Sequence, residues 1–164
     1  MEKLAFYKVD VAYADYLRKF DAKVPFIELP HYKRNKFFVG VVFKIDNLDY
    51  FAPVTSYTGS DKGSFSILNE KGEVVSSVRP NYMFPVIDGV YEMLDINKEY
   101  SGVQKRFVLW ELAFCNKYRE EIFFLARKTY QTRTQPRNER EALFFKDRII
   151  DFKKLENAAK KYKK

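Results

Sequence analysis

The apolar run Phe37-Phe38-Val39-Gly40-Val41-Val42-Phe43 turns at Asp46-Asn47 and returns as Tyr50-Phe51-Ala52-Pro53-Val54. Two runs of β-branched and aromatic residues, separated by residues that tolerate positive φ, commit the middle of the chain to a long β-hairpin. The returning arm spills into Thr55-Ser56-Tyr57-Thr58-Gly59-Ser60-Asp61-Lys62-Gly63. A rigid strand thus ends in two hydroxyls, with a lysine shortly beyond in a pliable segment. Such an arrangement suits a phosphate, which asks for several donors and a cation from a fixed frame.

The rest of the chain is built around this hairpin. Phe6-Tyr7-Lys8-Val9 reads as a strand, and Asp10 is placed to cap a helix carrying Tyr13, Tyr16, Leu17 and Phe20. Val24-Pro25 ends that helix, and residues 25–35 are loop. Ser64–Leu68 and Glu73–Val75 flank the turn Asn69-Glu70-Lys71-Gly72 and predict a second hairpin, and two further short strands lie around Asp88-Gly89. Strands so closely spaced predict a strongly bent antiparallel sheet curling into a small barrel. From about Glu99 the period changes: Val103, Phe107, Trp110, Phe114, Tyr118, Ile122 and Leu125 recur near helical spacing without a proline, predicting one long helix over about 99–128. After the polar stretch Thr132–Pro136, a helix should carry Leu143, Phe144, Ile149 and Ile150 on one face. A third should carry Phe152, Leu155, Ala158 and Ala159 ahead of a fraying tail. Residues 1–164 read as a single α+β domain, helices packed against the sheet.

Composition narrows the chemistry. An apolar fraction of 46% supports a packed core. The net charge of +8 with 18% aromatic residues fits a nucleic-acid partner, since cations meet phosphates and aromatic faces stack on unpaired bases. The charge is uneven: from Lys128 onward twelve basic residues stand against five acidic ones, an electrostatic docking surface. The lone cysteine, Cys115, forbids an internal disulfide and falls in an apolar stretch, so it reads as an inert buried thiol. There is no glycine-rich nucleotide loop, no zinc signature and no carboxylate cluster, so neither metal nor cofactor is expected. With no secretory leader pattern and no apolar run near the ~20 residues of a membrane span, a cytoplasmic location is expected.

Metal-free RNA cleavage remains, and it asks little of a protein. The 2′-hydroxyl is the nucleophile, so the protein need only align it, stabilise phosphate charge and move protons. Thr55, Ser56 and Lys62 are candidates to hold the scissile phosphate. Tyr32 and Lys36 flank the start of the hairpin and reach its open end if the preceding loop folds back. Structural alternatives stand beside each assignment: a hydroxyl-to-backbone turn at Thr55-Ser56, packing for Tyr13 and Tyr16, a solvated loop for Lys33, Arg34 and Lys36, and an exposed His31 with no role.

A larger pattern joins these residues. Phe6-Tyr7, Tyr13, Tyr16-Leu17 and Phe20-Asp21-x-Lys23-Val24-Pro25 open an ordered set. It continues through Tyr32, Lys36, Phe38-Val39-Gly40-Val41, Ala52-Pro53-Val54-Thr55-Ser56 and Asn81-x-Met83-x-Pro85-Val86. Over about the first ninety residues the set resembles the ToxN/AbiQ family, endoribonuclease toxins of type III (protein–RNA) toxin–antitoxin systems. The resemblance implies a bent sheet similar to MazF/Kid toxins and metal-independent cleavage to a 2′,3′-cyclic phosphate and a 5′-hydroxyl. It also implies inhibition by a small repeat-derived RNA pseudoknot, closed rings of toxin and RNA, and a role in abortive infection. By position it implies active-site roles for Tyr13, Tyr32, Lys36, Thr55 and Ser56. The family usually has a lysine two residues after the serine, often in Thr-Ser-Pro-Lys, but here Thr58 stands there and Tyr57 replaces the proline, leaving Lys62 as the substitute. On this reading Lys33, Arg34, Lys117, Arg119, Arg127, Lys128, Arg133, Arg137 and Arg140 are RNA contacts. The rival is a non-catalytic RNA-binding module using the same basic surface.

Overall fold

The central hairpin is formed by the second and third strands of the chain, and its register places everything else. The computed structural model describes residues 2–32, 34–59 and 61–164. Strand β1 is Ala5–Val9, helix α1 Val11–Arg18, β2 Phe37–Ile45 and β3 Leu48–Thr55. Asp46 and Asn47 take positive φ of 49° and 66°, the left-handed pair that a two-residue hairpin loop requires and that Asp and Asn supply at low cost. β2 and β3 pair from Ile45–Leu48 beside the turn to Phe37–Val54 at the open end.

β4 (Phe65–Leu68) and β5 (Val74–Val78) form the second hairpin, turning at Gly72 with φ 78°. β6 (Phe84–Val86) and β7 (Tyr91–Met93) do not pair with each other: β6 joins β3 and β7 joins β1. The sheet therefore runs β4-β5-β3-β2-β1-β7, with β6 also on β3. It has free edges at β4 and β7, so the expected barrel is an open seven-stranded antiparallel sheet.

One detail of this order shapes the site. On the side of β3 away from β2, residues 49–51 pair with β6, whereas Val54 and Thr55 pair with Val78 and Ser77 of β5. Between them lies Pro53, which has no amide to offer a partner. A 3₁₀ turn at Pro80–Tyr82 carries the chain across this seam, and the Arg79 amide donates to the Pro53 carbonyl at 3.1 Å.

The helices are α2 (Ile96–Glu99), α3 (Gly102–Lys117), α4 (Arg119–Thr134), α5 (Glu139–Lys146) and α6 (Phe152–Lys161). The single helix expected over 99–128 is thus two, broken at Tyr118, which leaves helical geometry at φ −112°, ψ 28°. No proline or glycine marks the break. The Asn116 side chain is drawn to the backbone of Leu4, and Arg119 donates to the Asn116 carbonyl at 2.8 Å, satisfying groups freed by the bend. The second helix also runs past the expected stop to Thr134, and the hydroxyls of Thr129 and Thr134 bond back to the carbonyls of Leu125 and Tyr130, both at 2.7 Å. Leu143 and Phe144 on α5 are exposed, and Ile149 and Ile150 are buried beyond its end. The expected frayed tail is helical to Lys161, with Ala158 and Ala159 buried.

α4 packs on β2 and the 3₁₀ turn, α6 on β6 and α3 on β4. Glu156 of α6, buried, accepts 2.6 Å hydrogen bonds from the hydroxyls of both Tyr50 and Tyr130, which ties β3, α4 and α6 together. Among the described residues no helix is long and apolar enough to cross a membrane.

Candidate active site

The chemistry-bearing residues gather at the open end of the β2–β3 hairpin, not at its turn. Phe37 pairs with Val54 at that end, and Lys36 and Thr55 are the next residues along the two arms. The loop before β2 folds back as required: the Lys36 amide donates to the Ile27 carbonyl at 2.9 Å and the Tyr32 amide to Leu29 at 3.0 Å. Two hollows meet here. One, of about 360 Å³, is lined by Lys23, Lys36, Thr55, Ser56, Arg79 and Tyr82 among others. The other, of about 540 Å³, shares Lys36, Thr55 and Ser56 and adds His31, Tyr32, Gln104 and Phe107.

Lys36 stands where the two hollows meet. Its ammonium lies 5.1 Å from the centroid of the Tyr32 ring, and it makes no ion pair with an acid among the described residues. Burial removes water from the charge, and Arg34 and Arg79 repel it, so its pKa is pushed down to about 8. Thr55 is half-buried; its Oγ1 accepts from the Tyr57 amide at 3.2 Å and shares a 3.3 Å hydrogen bond with the buried Ser77 hydroxyl. The turn and the functional readings of Thr55 therefore coexist, since the turn fixes where the hydroxyl points. Ser56 is exposed at the meeting of the hollows. Tyr32 stands on the wall, its hydroxyl 3.4 Å from the Phe26 carbonyl and its pKa raised by burial.

Tyr13 does not join them. It is fully buried on α1, its hydroxyl donates to the Pro85 carbonyl at 2.7 Å, and burial drives its pKa up. The structure makes it a packing residue that pins α1 to β6. Lys62 is also displaced: it lines a third hollow of about 680 Å³ on the far side of Arg79 and Tyr82.

Arg79 takes a place in the site that the sequence did not single out. It lines both the 360 Å³ and the 680 Å³ hollows. Its position depends on the strand exchange at Pro53, so nothing local distinguished it from the other basic residues.

The expected RNA contacts divide. Arg34 is spent on buried Glu111, through a fork of 2.9 and 3.0 Å bonds that Ser76 completes at 2.7 Å, so it anchors the loop before β2 to α3. Arg133 bonds the Ile149 carbonyl and Arg119 the Asn116 carbonyl, so both are structural. Arg137 pairs with Glu141 at 2.9 Å while largely exposed. Lys117, Arg127 and Arg140 are exposed, and Lys128 lines the third hollow opposite Lys62, with Arg148 stacked on Phe144 at 3.9 Å. Lys33 lies outside the described residues.

A family model described as toxin ToxN of type III toxin–antitoxin systems matches residues 5–160. The endoribonuclease ToxN of Pectobacterium atrosepticum is 30% identical over 128 residues, covering 73% of this chain and 75% of the relative. That of Bacillus thuringiensis subsp. kurstaki is 27% identical over 164 residues, covering 96% and 84%. A solved structure describing selective toxin inhibition by a non-coding RNA pseudoknot has a TM-score of 0.87 at 26% identity, with 98% of each chain covered.

Proposed function

The chain belongs to the ToxN family of type III toxin–antitoxin systems, and from that premise we propose that it is a metal-independent endoribonuclease held inactive by a small structured RNA. The observation that carries the reading is a desolvated lysine, Lys36, without an ion pair among the described residues and lining the same hollows as two hydroxyls. In the proposed reaction the substrate 2′-oxygen attacks the adjacent phosphorus as the bond from phosphorus to O5′ breaks. This leaves a 2′,3′-cyclic phosphate and a 5′-hydroxyl. Thr55 and Ser56 donate to the non-bridging oxygens, and Ser56, open to solvent, passes the 2′-hydroxyl proton outward. The Lys36 ammonium meets the charge gathering on the phosphate, and a pKa of about 8 lets it give O5′ its proton. Tyr32 supplies an aromatic wall for a neighbouring base.

The RNA inhibitor would run from this site into the hollow bearing Lys62, Lys128 and Arg148, as a repeat-derived pseudoknot closing rings with several toxin chains. We take residues 1–164 as one catalytic domain acting in the cytoplasm in abortive infection, and its sheet as a relative of the MazF/Kid sheet. Purified protein should degrade RNA in EDTA, leaving cyclic phosphate ends. Ser56→Ala should stop cleavage while RNA binding survives. The displacement of Lys62, with Thr58 at the position of the family lysine, favours one alternative, a non-catalytic RNA-binding module. In that case RNA stays intact with both proteins.

A further inference from the structure

Arg79 differs from the other half-buried arginines in what it binds. Arg18 donates to the carbonyls of Val24 and Pro25, and Arg34 forks onto the fully buried Glu111. The Arg79 side chain is 15% exposed, and its one ionic partner among the described residues is the Asp61 carboxylate, 41% exposed, at 2.9 Å. Its Nε is buried without a hydrogen-bond partner among the described residues. The guanidinium lies 4.0 Å from the centroid of the Tyr57 ring and 5.0 Å from that of Tyr82. Two aromatic faces thus hold its orientation, and the side chain lines both the hollow it shares with Lys36, Thr55 and Ser56 and the neighbouring one that Asp61 lines.

Asp61 is held in turn by the Tyr57 hydroxyl at 3.1 Å and the Gly63 amide at 3.0 Å, all within one exposed segment. We propose that Arg79 is the second cation on the scissile phosphate in this chain, and that Asp61 is its resting partner, a carboxylate standing where a phosphate oxygen binds when RNA enters. This rests on the endoribonuclease reading. A carboxylate and a phosphate present the same acceptor geometry to a guanidinium, and an exposed ion pair is exchanged at little cost. A cation from beyond β5 fills the place that Thr58 leaves neutral and that Lys62, facing the neighbouring hollow, does not reach.

The test uses the full chain, an RNA that it cleaves, and the same RNA with a 2′-deoxy nucleotide at the cut. Arg79→Gln should lower kcat about 100-fold or more, the scale of losing one preorganised donor to a transition-state anion. Arg79→Lys should recover part of that loss. Asp61→Asn keeps an acceptor for Gly63 but removes the competing charge, so it should tighten binding of the deoxy RNA by roughly threefold or more.

If wild type cleaves while Arg79→Gln stays within twofold of it, or if Asp61→Asn binds no more tightly, the assignment is overturned. Should Arg79→Gln fail to fold, Asp61→Asn decides, since its side chain is exposed. A wild type that binds but never cleaves overturns the nuclease reading instead, and the binding arm still reads the Asp61–Arg79 exchange.

Discussion

Lys36 and Thr55 follow directly on the Phe37–Val54 pair, Lys36 as the last residue of the loop before β2 and Thr55 as the last residue of β3, and both line the same two hollows. Their spacing is set by the same register that buries Phe37, Phe38 and Val39. Any slip that displaced the site would also pull aromatic side chains from the core.

The fall of activity at alkaline pH should belong to Lys36. With its pKa pushed down to about 8 and the protonated amine as the working form, kcat/KM should hold through neutral pH and fall as pH rises past about 8. Lys36→Arg should lower kcat/KM, because a guanidinium holds its proton, and the activity left should lack that fall because the group stays charged. A profile unchanged in shape by Lys36→Arg would remove Lys36 from the chemistry.

The same amine should weaken the fold. A lysine with its folded pKa below the unfolded value of 10.5 binds fewer protons when folded, so stability is lower below about pH 8 and is regained as pH rises toward 10.5. Lys36→Met should therefore abolish cleavage yet stabilise the protein at pH 7 by about 1–3 kcal/mol, allowing for solvent screening. The gain should disappear above the ordinary lysine pKa. Thermal unfolding of both proteins at pH 7 and near pH 11 checks this.

Tyr13→Phe separates packing from chemistry. It removes the hydroxyl that satisfies the Pro85 carbonyl in the core, which should cost about 1–3 kcal/mol of stability. Cleavage by the folded fraction should stay within twofold of wild type, measured below the variant's unfolding transition. A large loss of kcat without loss of stability would return Tyr13 to the active site.

Glu111→Gln should act at a distance. It leaves the Arg34 guanidinium without its counter-charge beside a fully buried partner, and breaking such a pair costs about 3–5 kcal/mol. The loop carrying Tyr32 and Lys36 loses its anchor to α3, so KM should rise alongside the fall in denaturant midpoint. Restoring charge with Glu111→Asp should recover part of both.

The legible parts of the molecule were those decided locally. The Asp46-Asn47 turn, the Gly72 turn and the apolar runs of β2 and β3 each follow from a few adjacent residues, and Lys36, Thr55 and Ser56 came with them. The parts decided by distant contacts were not. The bend at Tyr118 depends on Asn116 reaching back to Leu4, and an unbroken helical period hides it. Tyr13 reads as a site residue only from its place in the ordered set, whereas the carbonyl it meets belongs to a strand 72 residues away. Arg34 looked like a free cation because Glu111, its counter-charge, is 77 residues distant in the chain.

Pro53 has a wider meaning for a protein whose task needs a permanent notch beside a sheet. An ordinary residue there would offer an amide, and an approaching chain could zip along β3 and seal the gap. Proline withholds that donor whatever the neighbouring side chains do, so the opening is written into the main chain itself. Mutational drift can therefore rework the residues that line it, exchanging one cation for another, without the notch closing.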